Sequence, residues 1–259
     1  MKSKELAAGL PKRKTPGADQ EVLYALFREI QSSQSLGGAL FRRRSDATEA
    51  MSILWISRIR QLAQAFIATS EDVAVFAGLD QGFLSEFSKL SVKVDNLHIL
   101  RDVLLKKGIV LIFERSLPGM KVDGAVFRLV TGNPVIALSL RHSRLDIFWF
   151  TLLHELAHVI LHYETLNEPI IDDLEEIPVI LIEKQADKLA GDSLIPRHIW
   201  RTCDAVTRPS DANVVAFAKK VGIHPAIVAG KVRRELNRHT LFTAIINEVN
   251  VRKVLLNEE

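Results

Sequence analysis

The spacing of apolar residues divides the chain into helical, β-rich and again helical regions. Residues 47–68 show helical spacing, which predicts a long amphipathic helix. The stripe expected to face the core is Ile53, Ile56, Ile59, Leu62, Ala63 and Phe66. An earlier helix is predicted at residues 21–30, after a stretch without periodicity, and another at residues 97–108, which ends on Gly108.

The period then changes to that of strands. Three β-rich runs at residues 108–115, 124–130 and 133–140 are separated by Gly-, Pro- and Asn-containing turns, and we expect a small antiparallel sheet. Helical patterns return at residues 150–163 and 182–196 and continue to the end of the chain. This order predicts an α+β fold with a small sheet flanked by N- and C-terminal helical regions.

The composition is that of an ordinary soluble protein. Of 259 residues, 47% are hydrophobic and 25% charged, and the net charge of +3 offers no general electrostatic basis for binding nucleic acid or membranes. No apolar run approaches the roughly 20 residues of a membrane span, and the N-terminus lacks the apolar core of a secretory signal. The single cysteine, Cys203, favours the reducing cytoplasm, and any metal site must use histidine and carboxylate.

The candidate chemistry lies in the sequence His-Glu-Leu-Ala-His at residues 154–158. On a helix, His154 and His158 lie one turn apart on the same face, so both can bind one zinc ion. Glu155 is placed to reach a metal-bound water, as a general base must. The alternative is a core helix with two hydrogen-bonded histidines, although burying several polar groups among so many apolar residues is costly without a metal.

His162 continues the i, i+4 series but is a poor third ligand. Eight residues of helix place it about 12 Å along the axis from His154, which is beyond a shared ion. The residues between them continue the helix without a glycine turn. We therefore expect His162 to support the site or the core.

Glu183 is the better third ligand, because it opens the next helix after a loop long enough to fold back. Asp187 lies one turn further on the same face and is expected to accept a hydrogen bond from a ligand histidine. Alternatively, these are two exposed acids paired with Lys184 and Lys188.

With these two segments, FWFTLLHELAHVILH and IEKQADKLAGDSLIP, the chain resembles the ImmA/IrrE family of zinc metallo-endopeptidases. LFRRRSD, GIVLIFE, VIALSLRHSRLD and GIHPAIVAGKVRRE extend the resemblance over about residues 40–240. It implies a zincin-like metallopeptidase core, with His154, His158 and Glu183 as zinc ligands and Glu155 as catalytic base. Two positions depart from the common family pattern, without removing a ligand: Asp187 stands where Asn is common, and Ala157 where Gly is common.

The resemblance also implies a role and a domain organisation. Members typically cleave a repressor of helix-turn-helix type, which releases stress-response, mobile-element or phage genes. Many carry their own helix-turn-helix, but this chain resembles the stand-alone peptidase part. We expect a variable arm and helix at residues 1–40, the metallopeptidase domain at 41–200 and a C-terminal helical region at 201–259.

A non-cleaving, antitoxin-like regulator that binds DNA or a repressor is the competing hypothesis. Residues 218–230 have helix-turn-helix spacing with Gly222 at the turn, and basic residues follow at Lys231, Arg233 and Arg234. Residues 225–230, however, contain no Arg, Lys, Asn or Gln to read base edges. We therefore do not expect direct DNA binding; the predicted partner is a protein substrate.

Three further features stay open in the sequence. An oxyanion partner is needed, and the candidates are Arg141, His142, His162, Tyr163 and His224. The triple arginine at residues 42–44 suits a phosphate or an acidic partner, or is a solvated approach to the helix. The acidic residues of the loop at 172–176 either steer a basic substrate or are simply solvated; they are Asp172, Asp173, Glu175 and Glu176.

Overall fold

The computed structural model describes residues 47–70, 73–167, 169–171 and 179–256. The region at 1–40, the triple arginine and the acidic loop therefore lie outside the described residues. The elements in chain order are α1 (Ala47–Thr69), α2 (Gln81–Ser88), 3₁₀ helices Lys89–Val92 and Val94–Ile99, α3 (Leu100–Leu105), β1 (Val110–Phe113), β2 (Gly124–Arg128), β3 (Pro134–Leu138), α4 (Leu145–His162), a 3₁₀ turn (Tyr163–Thr165), β4 (Ile170–Ile171), α5 (Val179–Leu194), α6 (Arg197–Trp200), α7 (Asp204–Thr207), α8 (Asp211–Val221), α9 (Pro225–Leu236), α10 (Thr243–Asn247) and α11 (Val251–Leu256).

The sheet forms the middle of three layers. Successive side chains of a strand point to opposite faces. On one face Ala137 of β3 shares a hydrophobic cluster with Trp55 and Ile59 of α1. On the other face Ile136 shares a cluster with Leu152 of α4. Because both faces are covered, the strands read as continuous apolar runs rather than alternating ones. The expected α+β organisation, with a small sheet and flanking helices, is confirmed.

Helix α1 occupies the predicted range, but its buried stripe is shorter than expected. Ile53, Ile56, Ile59 and Ala63 are buried. Leu62 and Phe66, predicted to be core residues, are 42% and 40% exposed. Ala63 is nevertheless fully buried, and Ile67 packs against the same cluster as the sheet. The buried face of the last turns is therefore narrower than the predicted stripe, and Leu62 and Phe66 lie at its edge.

The sheet is mixed, which corrects the expectation of a purely antiparallel one. Its strand order is β1-β3-β2-β4. Strands β2 and β3 form the expected antiparallel pair, and β4 pairs antiparallel with β2. Strand β1 runs parallel to β3, with Val110 opposite Val135. With β4 on the outer edge of β2, β1 takes the free edge of β3, and ten residues between β1 and β2 carry the chain across the sheet.

Helix α4 is the centre of the fold. It packs on the sheet and contacts α5 and α9, and most of its residues are buried. The approach of α9 depends on Gly230, where an added Cβ would lie 2.0 Å from Oδ2 of Asp146 in the first turn of α4. In the described part of the chain, no helix is long and apolar enough to cross a lipid bilayer.

Candidate metal centre

Helix α4 carries both histidines and the glutamate of the motif into the interior. His154, Glu155 and His158 are 3%, 1% and 0% exposed. The helix is held at its start by Arg144, whose guanidinium donates two hydrogen bonds to Asp146, at 3.0 and 2.6 Å. Three polar side chains buried on one helix need partners, because an unpaired buried polar group costs several kcal/mol.

Those partners come largely from α5, which lies across α4. The Nε2 atoms of His154 and His158 are 3.0 Å apart. Oε2 of Glu183 lies 2.9 Å from Nε2 of His154 and 3.4 Å from Nε2 of His158. Among the described residues, these three side chains form a group whose ligand atoms lie close enough together to hold one metal ion. The structure therefore brings together the three residues predicted as ligands.

The spacing of the three atoms suits a tetrahedral ion. With metal–ligand bonds of 2.0–2.1 Å, ligand atoms around a tetrahedral zinc ion lie about 3.4 Å apart. The observed separations of 2.9–3.4 Å are slightly shorter and leave one further coordination position. Two imidazoles and a carboxylate with an open position are the donor set of catalytic rather than structural zinc sites.

The outer nitrogens of both histidines are engaged, which orients the inner ones. Nδ1 of His154 lies 3.0 Å from Oδ1 of Asp187. Nδ1 of His158 lies 3.1 Å from Nδ1 of His162. The carboxylate of Asp187 only accepts, so Nδ1 of His154 carries a hydrogen, and in the neutral ring Nε2 then turns its lone pair toward the centre. The expected hydrogen bond to Asp187 is present, and His162, expected to support the site or the core, contacts His158.

The charge states at the centre also favour a cation. Burial acts to raise the pKa of Glu183, but the two imidazoles facing it outweigh burial and lower that pKa to about 2. Burial lowers the pKa of His158, which keeps its ring neutral at neutral pH. Oε2 of Glu183 lies 2.9 Å from Nε2 of His154, which is close enough for a hydrogen bond from that ring, and this contact with the imidazoles lowers the pKa of Glu183. When both Nε2 atoms present lone pairs instead, a cation between them and the carboxylate satisfies all three atoms.

Glu155 does not belong to this converging group. Its carboxylate lies against the first residue of β2, where a Cβ added to Gly124 would come within 2.3 Å of Oε1 of Glu155 and 2.9 Å of Cγ2 of Thr151. The backbone of β2 therefore lies very close to α4 beside the predicted base. Gly124 had no signal in the sequence, because a glycine in the turn-like VDG segment has an ordinary explanation.

The five candidate oxyanion residues differ in the contacts that they make. Tyr163 donates its hydroxyl hydrogen to the carbonyl of Gly132 at 2.7 Å. Nδ1 of His224 accepts from the backbone N–H of Ala226 at 3.2 Å, and His162 contacts His158.

Arg141 and His142 both lie beside Asp123. Arg141 forms a two-point ion pair with Asp123, at 2.8 and 3.0 Å. His142 Nε2 is 3.8 Å from the same carboxylate. Both residues line a small cavity with Thr151, one turn before Glu155. This cavity places both candidates beside the helix that carries the predicted base.

The helix-turn-helix-like segment is present, but its second helix is buried. Helix α8 ends at Gly222, whose φ of +76° allows the tight turn. The first buried residues of α9, where a recognition helix would read DNA, are Ala226, Ile227, Val228, Ala229 and Gly230. This face packs into the core and contacts α4. The arrangement favours a packing role over the competing DNA-binding hypothesis.

The α+β fold and the buried His-His-Glu cluster are those expected of a zincin-like metallopeptidase. Residues 106–232 match the family model of the IrrE N-terminal-like domain, Peptidase_M78. Residues 106–232 therefore carry a domain of the ImmA/IrrE family of peptidases, and both the resemblance and the zincin-like fold are confirmed. A search of curated proteins found no match. The matched segment runs from the end of α3 into α9 and includes all of α4 and α5.

Proposed function

We propose that the protein is a zinc-dependent endopeptidase. The observation that carries this proposal is the convergence of Nε2 of His154, Nε2 of His158 and Oε2 of Glu183 within 2.9–3.4 Å of one another. These three residues would hold the ion. Zinc is favoured among divalent metals because imidazole and carboxylate with an open position are its usual catalytic ligands.

The remaining residues would carry the proton transfers. When bound, zinc supplies Lewis-acid chemistry, which polarises the scissile carbonyl and makes a water molecule more acidic. Glu155 would take the proton of the attacking water and later give it to the leaving amine. Its burial against Gly124 limits the directions in which the carboxylate can turn, which supports this role.

The proposed substrate is a helix-turn-helix repressor or a similar protein partner, and the proposed role is regulatory. Peptidases of this family act on proteins, and the resemblance described above points to transcriptional repressors of stress-response or mobile-element genes. The buried free thiol of Cys203 is consistent with a reducing cytoplasm, where such a repressor is found.

The test is cleavage of the repressor that is encoded next to this gene. The purified protein with zinc should produce fragments, and Glu155→Gln should produce none while it retains bound zinc. Glu164→Gln, which removes an exposed carboxylate just after α4, is the matched control and should cleave like the parent. A stable, uncleaved complex with both the parent and Glu155→Gln would overturn the proposal in favour of a binding regulator.

A further inference from the structure

The two candidate ligand histidines are supported in different ways. His154 contacts the charged carboxylate of Asp187. His158 contacts a second imidazole, with 3.1 Å between its Nδ1 and Nδ1 of His162. Nε2 of His162 in turn lies 3.0 Å from the amide oxygen of Gln185 on α5. One ligand therefore has a charged support and the other a chain of two neutral groups.

We infer that His162 and Gln185 form a neutral hydrogen-bond relay that sets the tautomer of His158. The amide oxygen of Gln185 only accepts, so Nε2 of His162 carries the hydrogen. The Nδ1 of neutral His162 then has a lone pair, which accepts from Nδ1–H of His158. That hydrogen leaves Nε2 of His158 unprotonated and directed at Nε2 of His154 and at Glu183, as metal binding requires.

The relay runs from the interior to the surface. His158 is fully buried, His162 is half-buried and Gln185 is exposed. Gln185 is therefore open to substitution with little effect on packing, yet it acts on a buried ligand through one intermediate ring. His162 and Gln185 are positioning residues rather than catalytic ones, because neither is placed at the reacting atoms. The inference rests on the proposed zinc centre and adds two residues to it.

Zinc affinity measured by chelator competition tests the relay. Partners of ligand histidines typically contribute 10- to 100-fold to metal affinity. We expect Gln185→Leu to weaken zinc binding about 10-fold and His162→Phe about 10- to 100-fold. Lys188→Leu is the control, since it places the same side chain at another exposed position of α5. Loss of that positive charge does not weaken binding of a cation, so the Lys188→Leu affinity should not fall.

A double-mutant cycle separates the relay from a general effect on α5. In the His162→Phe background, Gln185→Leu should cause no further loss of affinity, because the connection to His158 is already broken. An equal loss in both backgrounds would contradict the relay, as would Gln185→Leu with the affinity of the parent. If the parent protein binds no zinc, the proposed function fails instead.

The tautomers provide a readout that needs neither zinc nor activity. In ¹⁵N NMR spectra of the metal-free protein at pH 8, His162 should carry its hydrogen on Nε2 and His158 on Nδ1. The opposite tautomers would overturn the relay even if zinc binds tightly. In Gln185→Leu, His162 should populate both tautomers, because its Nε2–H has lost the acceptor.

Discussion

Gly124 lies closer to Glu155 than a residue with any side chain could. An added Cβ would be 2.3 Å from Oε1 and 2.9 Å from Cδ of Glu155. No real contact is that short, so a larger residue must displace the carboxylate or the strand. The absence of a side chain at this position is therefore part of how the proposed base is held.

We predict that Gly124→Ala lowers peptidase activity by about 100-fold, because a misplacement of about 1 Å at a reacting group costs that much. Zinc content should stay that of the parent, since Glu155 is not one of the three converging groups. Cleavage rate and metal content are measured on the same preparation. Gly191→Ala is the control: its added Cβ meets nothing within 4 Å, and activity should be retained. A fully active Gly124→Ala variant would remove Gly124 from this role.

At the residue scale, local spacing was enough to predict part of the site. Two histidines four residues apart on a helix must share a face, and their Nε2 atoms are 3.0 Å apart. Glu183 required the further assumption that the next helix folds back, which it does. Gly124 and Gln185 had no such signal, because their importance comes from contacts made across the fold. That the three converging residues bind zinc, with Glu155 as base, stays a prediction.

At the level of elements, the packing of α9 on α4 depends on one close approach. The carboxylate of Asp146 is 7% exposed and lies directly under Gly230. We predict that Gly230→Ala lowers the free energy of unfolding by about 1–3 kcal/mol, as overpacking of a core commonly does. Urea denaturation measures this change. Gly191→Ala on α5 is the control: its added Cβ has open space, so the variant should be neutral or slightly stabilised. A Gly230→Ala variant with an unfolding free energy as high as that of the control would refute the close approach.

The histidine that caps the start of α9 makes the stability of the fold depend on pH. His224 caps the helix by accepting from the N–H of Ala226, which only the neutral ring can do. Burial lowers the pKa of His224 below 6.5, and the nearby Glu248 does not compensate. A lowered folded-state pKa means that the unfolded chain binds the proton more readily. This stabilisation is therefore complete above pH 6.5 and is lost as the pH falls toward the folded-state pKa.

We predict that His224→Asn makes stability less dependent on pH between 7.5 and 5.5. Asparagine keeps a capping acceptor but does not titrate. The loss of unfolding free energy on acidification should be larger in the parent, by less than about 1.4 kcal/mol per pH unit. Both proteins are measured in chelator, so that metal release does not contribute. Equal pH dependence in the two proteins would contradict the assignment.

The strand pairing shows why elements were easier to predict than their arrangement. Strands β1, β2 and β3 were each found from an apolar run, and the turn between β2 and β3 predicted their antiparallel pairing. The two-residue strand β4 was not predicted, because it is too short to show a pattern. The local sequence does not show whether β1 pairs antiparallel with β2 or parallel with β3. The exposed Leu62 and Phe66 are a similar case, since helical spacing does not reveal how wide a face of the helix is covered.

For the whole molecule, the proposed metal would join two helices that come from different parts of the chain. His154 and His158 lie on α4 and Glu183 on α5, with the loop at 172–178 between them outside the described residues. An ion that binds only the folded protein stabilises it by mass action, by about 4 kcal/mol when its free concentration is 1,000 times Kd. The thermal stability of the protein should therefore report on the centre directly.

We predict that zinc removal by EDTA lowers Tm by about 10 °C for a chain of this size, and that added zinc restores it. Glu183→Gln should lose most of this difference, because it removes the charged ligand that joins α5 to α4. Glu155→Gln should keep the difference, because Glu155 is not among the converging groups, although it abolishes cleavage. Differential scanning calorimetry on the three proteins separates the ligand from the base. An identical Tm with zinc and with EDTA in the parent would mean that the two helices are not joined by a metal.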